Sequence, residues 1–314
     1  MPNKRTKNLR LGVDPILTSL AQQFEQSAFV SQFILPDTFV EKKTGEYPVF
    51  GNEHMRVHDT SRPMKAPVKT MPTDNWSLKE FMLNEHALET ALDYLEIEAA
   101  EDVMDLEKYA LDALLASLYL GKEVEAIELI QNTATYSVDH VEALSSGEEF
   151  NDPLSDPLVV IQDAMETVRR KINYLPNVLI FGPRVFNALQ NHPKILDRIK
   201  YTQTGIVSEA LIAGLIGNNV TIKIGSGMYE DPATKTNIDL WGDVVAMAYN
   251  KNLARTKSKF EQSFGKTFLL NGYPEVSFDS ANHSKLQLIA ATMFYKAHIT
   301  QKDAGFLITN AYVE

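Results

Sequence analysis

The chain has 314 residues, 44% of them hydrophobic and 23% charged, enough for one large domain or two ordinary ones with a core that needs no staples. It contains no cysteine, so disulfides and thiolate chemistry are excluded, and a net charge of −11 argues against nucleic acid as the main ligand. No apolar run reaches about 18 residues and the opening MPNKRTKNLR lacks a signal-peptide core, which predicts a chain made and kept in the cytoplasm.

The charge is unevenly spread. Lys4, Arg5, Lys7 and Arg10 crowd into the first ten residues, whereas Glu80–Glu128 is heavily acidic. A short basic arm reads first as a solvated terminus and second as a contact for packaged nucleic acid or an acidic partner. Ile16–Phe33 predicts a short helix with Ile16, Leu20, Phe24 and Ala28 on its apolar face. Leu35–Trp76 is too polar for a core and is interrupted by Pro36, Pro48, Pro63, Pro67 and Pro72. Its extended pieces, Tyr47–Phe50, His54–His58 and Ala66–Met71, together with turn dipeptides such as Thr44-Gly45, predict a long projecting hairpin. A lone two-stranded hairpin is marginal in water, so this one is expected to pack on another chain.

From Ser77 the period turns helical. Ser77 and Glu80 have the spacing of a capping box, and Leu88, Leu92, Leu95, Ala99, Val103, Leu106, Ala110, Leu114 and Ser117 step by fours and threes up to Gly121. A helix of about 40 residues would be roughly 60 Å long, which suits an elongated, plate-like molecule. Ala126–Tyr136 reads as a shorter helical piece. Asp156-Pro157 opens a helix running to about Asn173, and Val178–Phe181 then reads as a strand followed by a helix from Pro183. Further helices are expected over Ile195–Lys200 and Ser208–Leu215. Extended segments follow at Val220–Ile224, Ile238–Tyr249, Lys266–Leu270, Glu275–Phe278, Lys285–Thr300 and Phe306–Tyr312. Helices gather in the middle and strands toward the end, an α+β order.

Chemistry-bearing patterns fail on their own requirements. Gly182 stands alone before Pro183, which has no N–H for an anion. Gly225-Ser226-Gly227 is followed by Glu230 and Asp231, where a phosphate would need positive charge. His54 and His58 lie four apart in a proline-broken stretch, roughly 13 Å if extended, too far for one metal ion. Glu85, Glu89, Asp93, Glu96 and Asp102 read as a solvated helix face before they read as paired catalytic carboxylates. No catalytic residue, metal ligand or cofactor is expected.

The order of parts resembles the major capsid protein of tailed bacteriophages, a fold shared with encapsulins. VFGNEHMRVHDTSRP (Val49–Pro63) is similar to the far part of that fold's extended loop, and EAIELIQNTATY (Glu125–Tyr136) to the end of its spine region. SDPLVVIQDAMETV (Ser155–Val168), PNVLIFGPRVFNALQNHPKILDRIK (Pro176–Lys200) and EALIAGLIGNNVTIKIGSG (Glu209–Gly227) resemble successive units of its axial domain, which WGDVVAMAYN (Trp241–Asn250) would close. The resemblance implies an N-terminal arm over 1–34 and an extended loop over 35–76. It further implies a peripheral domain with spine helix and β-sheet over 77–154 and 255–314, and an axial domain over 155–254.

By function, the resemblance implies a non-enzymatic subunit that self-assembles into pentamers and hexamers of an icosahedral head around double-stranded DNA. Such a head is assembled in the host cytoplasm and resides in the virion, with no membrane partner. Phe50, Arg56, Arg62, Lys65 and Lys69 become inter-subunit contact candidates, and Lys4, Arg5, Lys7 and Arg10 an interior arm touching DNA non-specifically. A separate scaffolding protein, a portal and a decoration protein are the further partners implied. Lys42, Lys43, Lys65 and Lys69 are crosslinking candidates by location only, and no crosslink is expected. The alternatives are an encapsulin-like shell around an enzyme cargo and an α/β nucleotide-handling enzyme built around Val178–Phe181.

Overall fold

The computed structural model describes residues 13–24, 28–51, 57, 59–69, 76–100, 105–200, 207–217, 220–231, 233–251, 258, 260–281 and 285–313. Lys4, Arg5, Lys7, Arg10, His54, Arg56, His58 and Asp102 lie outside them. Asp14 starts helix α1 (Pro15–Ala21), its carboxylate accepting from the N–H groups of Ile16 and Leu17 at 2.7 and 3.0 Å. The single helix expected over Ile16–Phe33 is two pieces, α1 and the short α2 (Ser31–Ile34). Strands β1 (Asp37–Val40), β2 (Thr44–Phe50), β3 (Trp76–Met82) and β4 (Asn84–Asp93) follow.

Here the helical expectation fails. Ser77 caps nothing: it lies inside β3, and Leu88 and Leu92 lie on β4. Residues four apart share a face in a strand as well as in a helix, so the leucine spacing was ambiguous, and a long partner strand decided it. The helical part is shorter, divided between α3 (Tyr94–Ala100) and α4 (Leu106–Gln131). Helix α4 has 26 residues and starts where Asp105 Oδ1 accepts from the Lys108 N–H at 3.0 Å. It passes through Gly121 and absorbs most of the helical piece expected at Ala126–Tyr136.

The chain continues through β5 (Val141–Ala143), α5 (Pro157–Ile172), β6 (Val178–Phe181), α6 (Pro183–Asn191), α7 (Pro193–Ile199), α8 (Glu209–Ile216) and β7 (Thr221–Ile224). It then forms β8 (Met228–Glu230), β9 (Asn237–Asp239), β10 (Val245–Ala248), β11 (Gly265–Leu270), β12 (Glu275–Ala281), β13 (Leu286–Ile299) and β14 (Gly305–Thr309). Pro157 takes the first turn of α5 as expected, but the Asp156 carboxylate makes no cap. It lies 3.8 Å from Lys194 and 3.7 Å from Arg198 instead.

Two five-stranded sheets organise these elements. The first runs β1-β11-β13-β12 with β4 also on β13. Strand β13, 14 residues long, is its axis: one edge pairs with β12 over 286–292 and with β11 over 295–299, and the other pairs with β4 over 286–295. Leu111, Leu114, Leu115 and Leu118 of α4 bury against Ile289, Ala291, Met293 and Tyr295 on one face of this sheet.

The second sheet runs β5-β14-β10-β6-β7. Every residue of β6 and β10 is buried, and Ile161, Ala164, Met165 and Val168 of α5 join their core. Strands β5 and β14, from ranges assigned above to the peripheral domain, complete this sheet because β14 pairs antiparallel with β10 and parallel with β5. The extended segment expected over Ile238–Tyr249 is likewise two strands in different sheets. They are separated by the buried Trp241 and by Gly242, whose carbonyl crosses Gly182.

Candidate subunit interface

Gly182 shows what the strand–glycine–helix unit is for. A Cβ there would stand 1.9 Å from the Gly242 carbonyl oxygen, so glycine is required by the crossing of two backbones, and α6 begins at Pro183. Gly225 has a similar reason: its missing Cβ would meet the Trp241 ring at 2.1 Å. Both glycines of these motifs are filled by the chain's own atoms, leaving no cradle for a phosphate.

The feature that reaches outward is the hairpin. Strands β2 and β3 pair antiparallel from Thr44↔Met82 to Phe50↔Trp76, with residues 51–75 between their far ends. Thr44-Gly45, expected as a turn, supplies the first two rungs of this ladder. At the root Tyr47 and Phe81 are buried, and the Leu83 N–H donates to the Lys43 carbonyl at 2.8 Å. The Phe81 ring stacks on Phe268 at 4.7 Å and the Tyr47 ring lies 5.5 Å from it, in a cluster with Val40, Leu83, Leu270 and Phe294. The ribbon is therefore anchored on its own body at one end, where a wholly borrowed support was expected.

Beyond the root, the described residues give the loop's apolar side chains no cover. Val57, Met64 and Val68 are 100%, 93% and 74% exposed. Arg62 Nε donates to the Ala66 carbonyl at 2.6 Å, Lys65 turns the chain at φ 66°, and Lys69 pairs with Asp59. Lys69, and next the Ser61 N–H, hold the Asp59 carboxyl below its usual range. Of the contact candidates, Arg62, Lys65 and Lys69 thus share one loop, Phe50 contributes the last rung of β2, and Arg56 lies outside the described residues. Sequence reasoning chose Phe50 and the charges and missed the exposed apolar trio, although three apolar residues in a proline-rich polar loop were a signal for it.

Helix α4 tethers the segment leading to the hairpin. Glu123 is buried and accepts from the N–H groups of Val30 and Ser31 at 3.0 Å each, and Lys122 meets Asp37 at 2.6 Å. These backbone donors satisfy a carboxylate that burial cuts off from water. Nothing in the sequence separated Glu123 from its solvated neighbours. Glu85, Glu89 and Asp93 stand on β4 and Glu96 on α3, so the acidic face expected on a helix is largely a strand.

A ribbon anchored at its root and bare beyond it, beside two sheets and a long helix, is the architecture of a shell-building protein. The crystal structure of a phage-related protein from Bordetella bronchiseptica RB50 superposes with a TM-score of 0.80 at 25% identity, covering 96% of this chain and 98% of that one. The capsid structure of cyanophage P-SCSP1u shares the fold at a TM-score of 0.57 and 10% identity, covering 91% and 89% of the two chains. No protein-family model matches the sequence. The major capsid protein of Burkholderia phage BcepMu, however, is 31% identical over 307 residues, 97% of this chain and 98% of that protein. The chain belongs to the family of phage major capsid proteins. It is a structural subunit of the phage head, and its place is the virion's capsid.

Proposed function

We propose that copies of this chain tile an icosahedral head as pentamers and hexamers around double-stranded DNA, each laying its hairpin over a neighbour. The observation that carries this is the contrast along one ribbon: Tyr47 and Phe81 are buried on the chain's own sheet, while Val57, Met64 and Val68 stand in solvent. A single copy does not cover that apolar surface, and a neighbouring copy offers it a surface in every repeat of the shell. Each contact is modest, but closure repeats it around every capsomer.

In this reading residues 1–34 are the arm and the hairpin from 35 through β3 is the extended loop. The first sheet with α4 forms the peripheral body, and the second sheet with α5–α8 forms the axial one. Lys4, Arg5, Lys7 and Arg10 face the packaged DNA without sequence preference, as basic residues do toward phosphates. A scaffolding protein, a portal and a decoration protein complete the set of partners, and the role is structural, with no turnover of substrate.

The test replaces residues 51–75 by a two-residue Asn-Gly turn, which suits a hairpin ladder and leaves β2 and β3 intact. The variant is expected to keep its thermal transition and circular dichroism but to give no closed shells by negative-stain microscopy. Closed shells from it would overturn the proposed role.

A further inference from the structure

Helix α2, only four residues long, lies where the two sheets meet. It touches α4, β6 and β11 at once, so each of the two bodies presses on it. Ile34 and the following Leu35 are buried in the core of the second sheet, and a Cβ added to Gly265 on β11 would stand 2.3 Å from the Leu35 side chain. The Leu35 and Pro36 carbonyls then accept from the hydroxyl and the N–H of Thr267 on β11, at 3.3 and 3.1 Å. So short a helix has little stability of its own, and its position comes from these neighbours.

Its two ends are gripped from different bodies. At the start, the Glu123 carboxylate of α4 accepts from the Val30 and Ser31 N–H groups and from the Ser31 hydroxyl. At the end, Asn250 Nδ2 donates to the Phe33 and Ile34 carbonyls at 2.6 and 3.2 Å. These are the kinds of group a helix leaves unpaired at its termini. Asn250 follows β10 and is itself fixed to the segment that enters β6: its N–H donates to Asn177 Oδ1 at 2.9 Å, and Asn177 Nδ2 donates to its carbonyl at 2.7 Å. The Asn250 side chain is buried, and its Oδ1 has no hydrogen-bond partner among the described residues. An unpaired buried oxygen is a cost that a leucine of similar size would avoid. The two donor bonds to α2, and not the filling of space, are therefore what asparagine supplies there.

We propose that α2 is a wedge, clamped by Glu123 and Asn250, that fixes the angle between the two sheets and thereby the curvature of the shell. The curvature half of this rests on the head-building role proposed above, since a tile of fixed shape bends a closed surface by a fixed amount at every contact. A carboxylate from one body and an amide from the other hold the wedge, so neither body can turn against it without breaking a buried hydrogen bond.

Because the native chain has no cysteine, spin labels can be placed on Ala113→Cys of α4 and Asn187→Cys of α6, both exposed positions. Pulsed electron paramagnetic resonance on unassembled full-length chains then reads the distance between the bodies, and one narrow distribution is expected in the labelled parent. Asn250→Leu and Glu123→Leu should each at least double its width, while Glu123→Gln, which keeps an acceptor oxygen, should leave it narrow. Ile161→Val, a small loss of packing within the second core, should also leave it narrow. Unchanged width in both leucine variants overturns the wedge, and so does equal broadening in Ile161→Val, which would mark a general loosening. Unlabelled Asn250→Leu chains should give shells at least twice as variable in diameter as native ones by electron microscopy. Shells of native uniformity, or no particles at all, from a chain whose distances have broadened would overturn the link to curvature. A native chain that closes no shells would instead defeat the parent reading, and the distance measurement would still decide the wedge.

Discussion

The two sheets of this protein solve the same packing problem to different degrees. In the second, β6 and β10 are buried at every position, helices and loops cover both faces, and even the glycines are filled by Gly242 and Trp241. In the first, α4 covers one face, the other shows carboxylates and alanines, and the hairpin rises from one corner of it. A sheet finished within one chain serves as a rigid body, and a sheet left half covered is a surface that awaits another molecule. By burial alone, one sheet is complete within the chain and the other is left partly uncovered.

The sharpest way to break that contrast is to damage the self-sufficient half. Gly182→Ala drives a methyl group into the Gly242 carbonyl, 1.9 Å away, and a backbone oxygen cannot rotate aside as a side chain would. Overpacking of this kind is expected to cost about 3 kcal/mol or more. The whole chain should unfold earlier by calorimetry, and shells should vanish because the subunit itself is lost. A wild-type melting temperature would show that the two backbones are not locked together as described.

Phe81→Ala acts on the other half and should act locally. It removes the ring stacked on Phe268 and leaves the second sheet untouched, with a cost of about 3 kcal/mol, in the usual range for a buried phenylalanine. Hydrogen exchange should accelerate across β2 and β3 while amides of β6 and β10 keep their protection, the behaviour of a unit that opens on its own. Uniform acceleration in both regions would mean that root and body unfold as one.

The second sheet was also the more legible half. Val178–Phe181 is a short, continuous apolar run between a turn and Gly182-Pro183, and local sequence specifies both its strand and the helix after it. Asp156-Pro157, Ser208 and Gly217 punctuated the other helices within a residue or so. The first sheet was not legible in this way. Leu88 and Leu92 fit a helix or a strand equally, and what made them a strand is β13, about 200 residues later in the chain, which no local pattern reveals. The site divided along the same line. The prolines of Leu35–Trp76 announced a projecting loop, but Tyr47 and Phe81 gave no sign that they would grip Phe268, because that contact exists only after the last sixty residues have folded.

A smaller effect, confined to the hairpin root, comes from pH. His298 lies with its ring 5.4 Å from Tyr47 and 5.8 Å from Phe268, and its Nε2 is buried without a hydrogen-bond partner. Burial holds its pKa below the ordinary histidine value, the Lys296 ammonium adds to this, and Glu125 opposes it. The other ionisable groups at this place are the Tyr47 phenol on β2, raised by burial, and Lys266 on β11, opposite His298 in register and lowered by burial to about 8. Neither gains or loses a proton between pH 5 and 7. Over that interval the opened state binds a proton on His298 more readily than the closed one, so the root is fully secured above the ordinary histidine pKa and loosens as pH falls below it. Hydrogen exchange of β2 and β3, corrected for its intrinsic pH dependence, should show protection falling from pH 7 to pH 5 while β6 and β10 hold steady. His298→Phe should remove most of that dependence. If the variant keeps it, the acid sensitivity belongs to another group, and the imidazole against Tyr47 is only part of the packing.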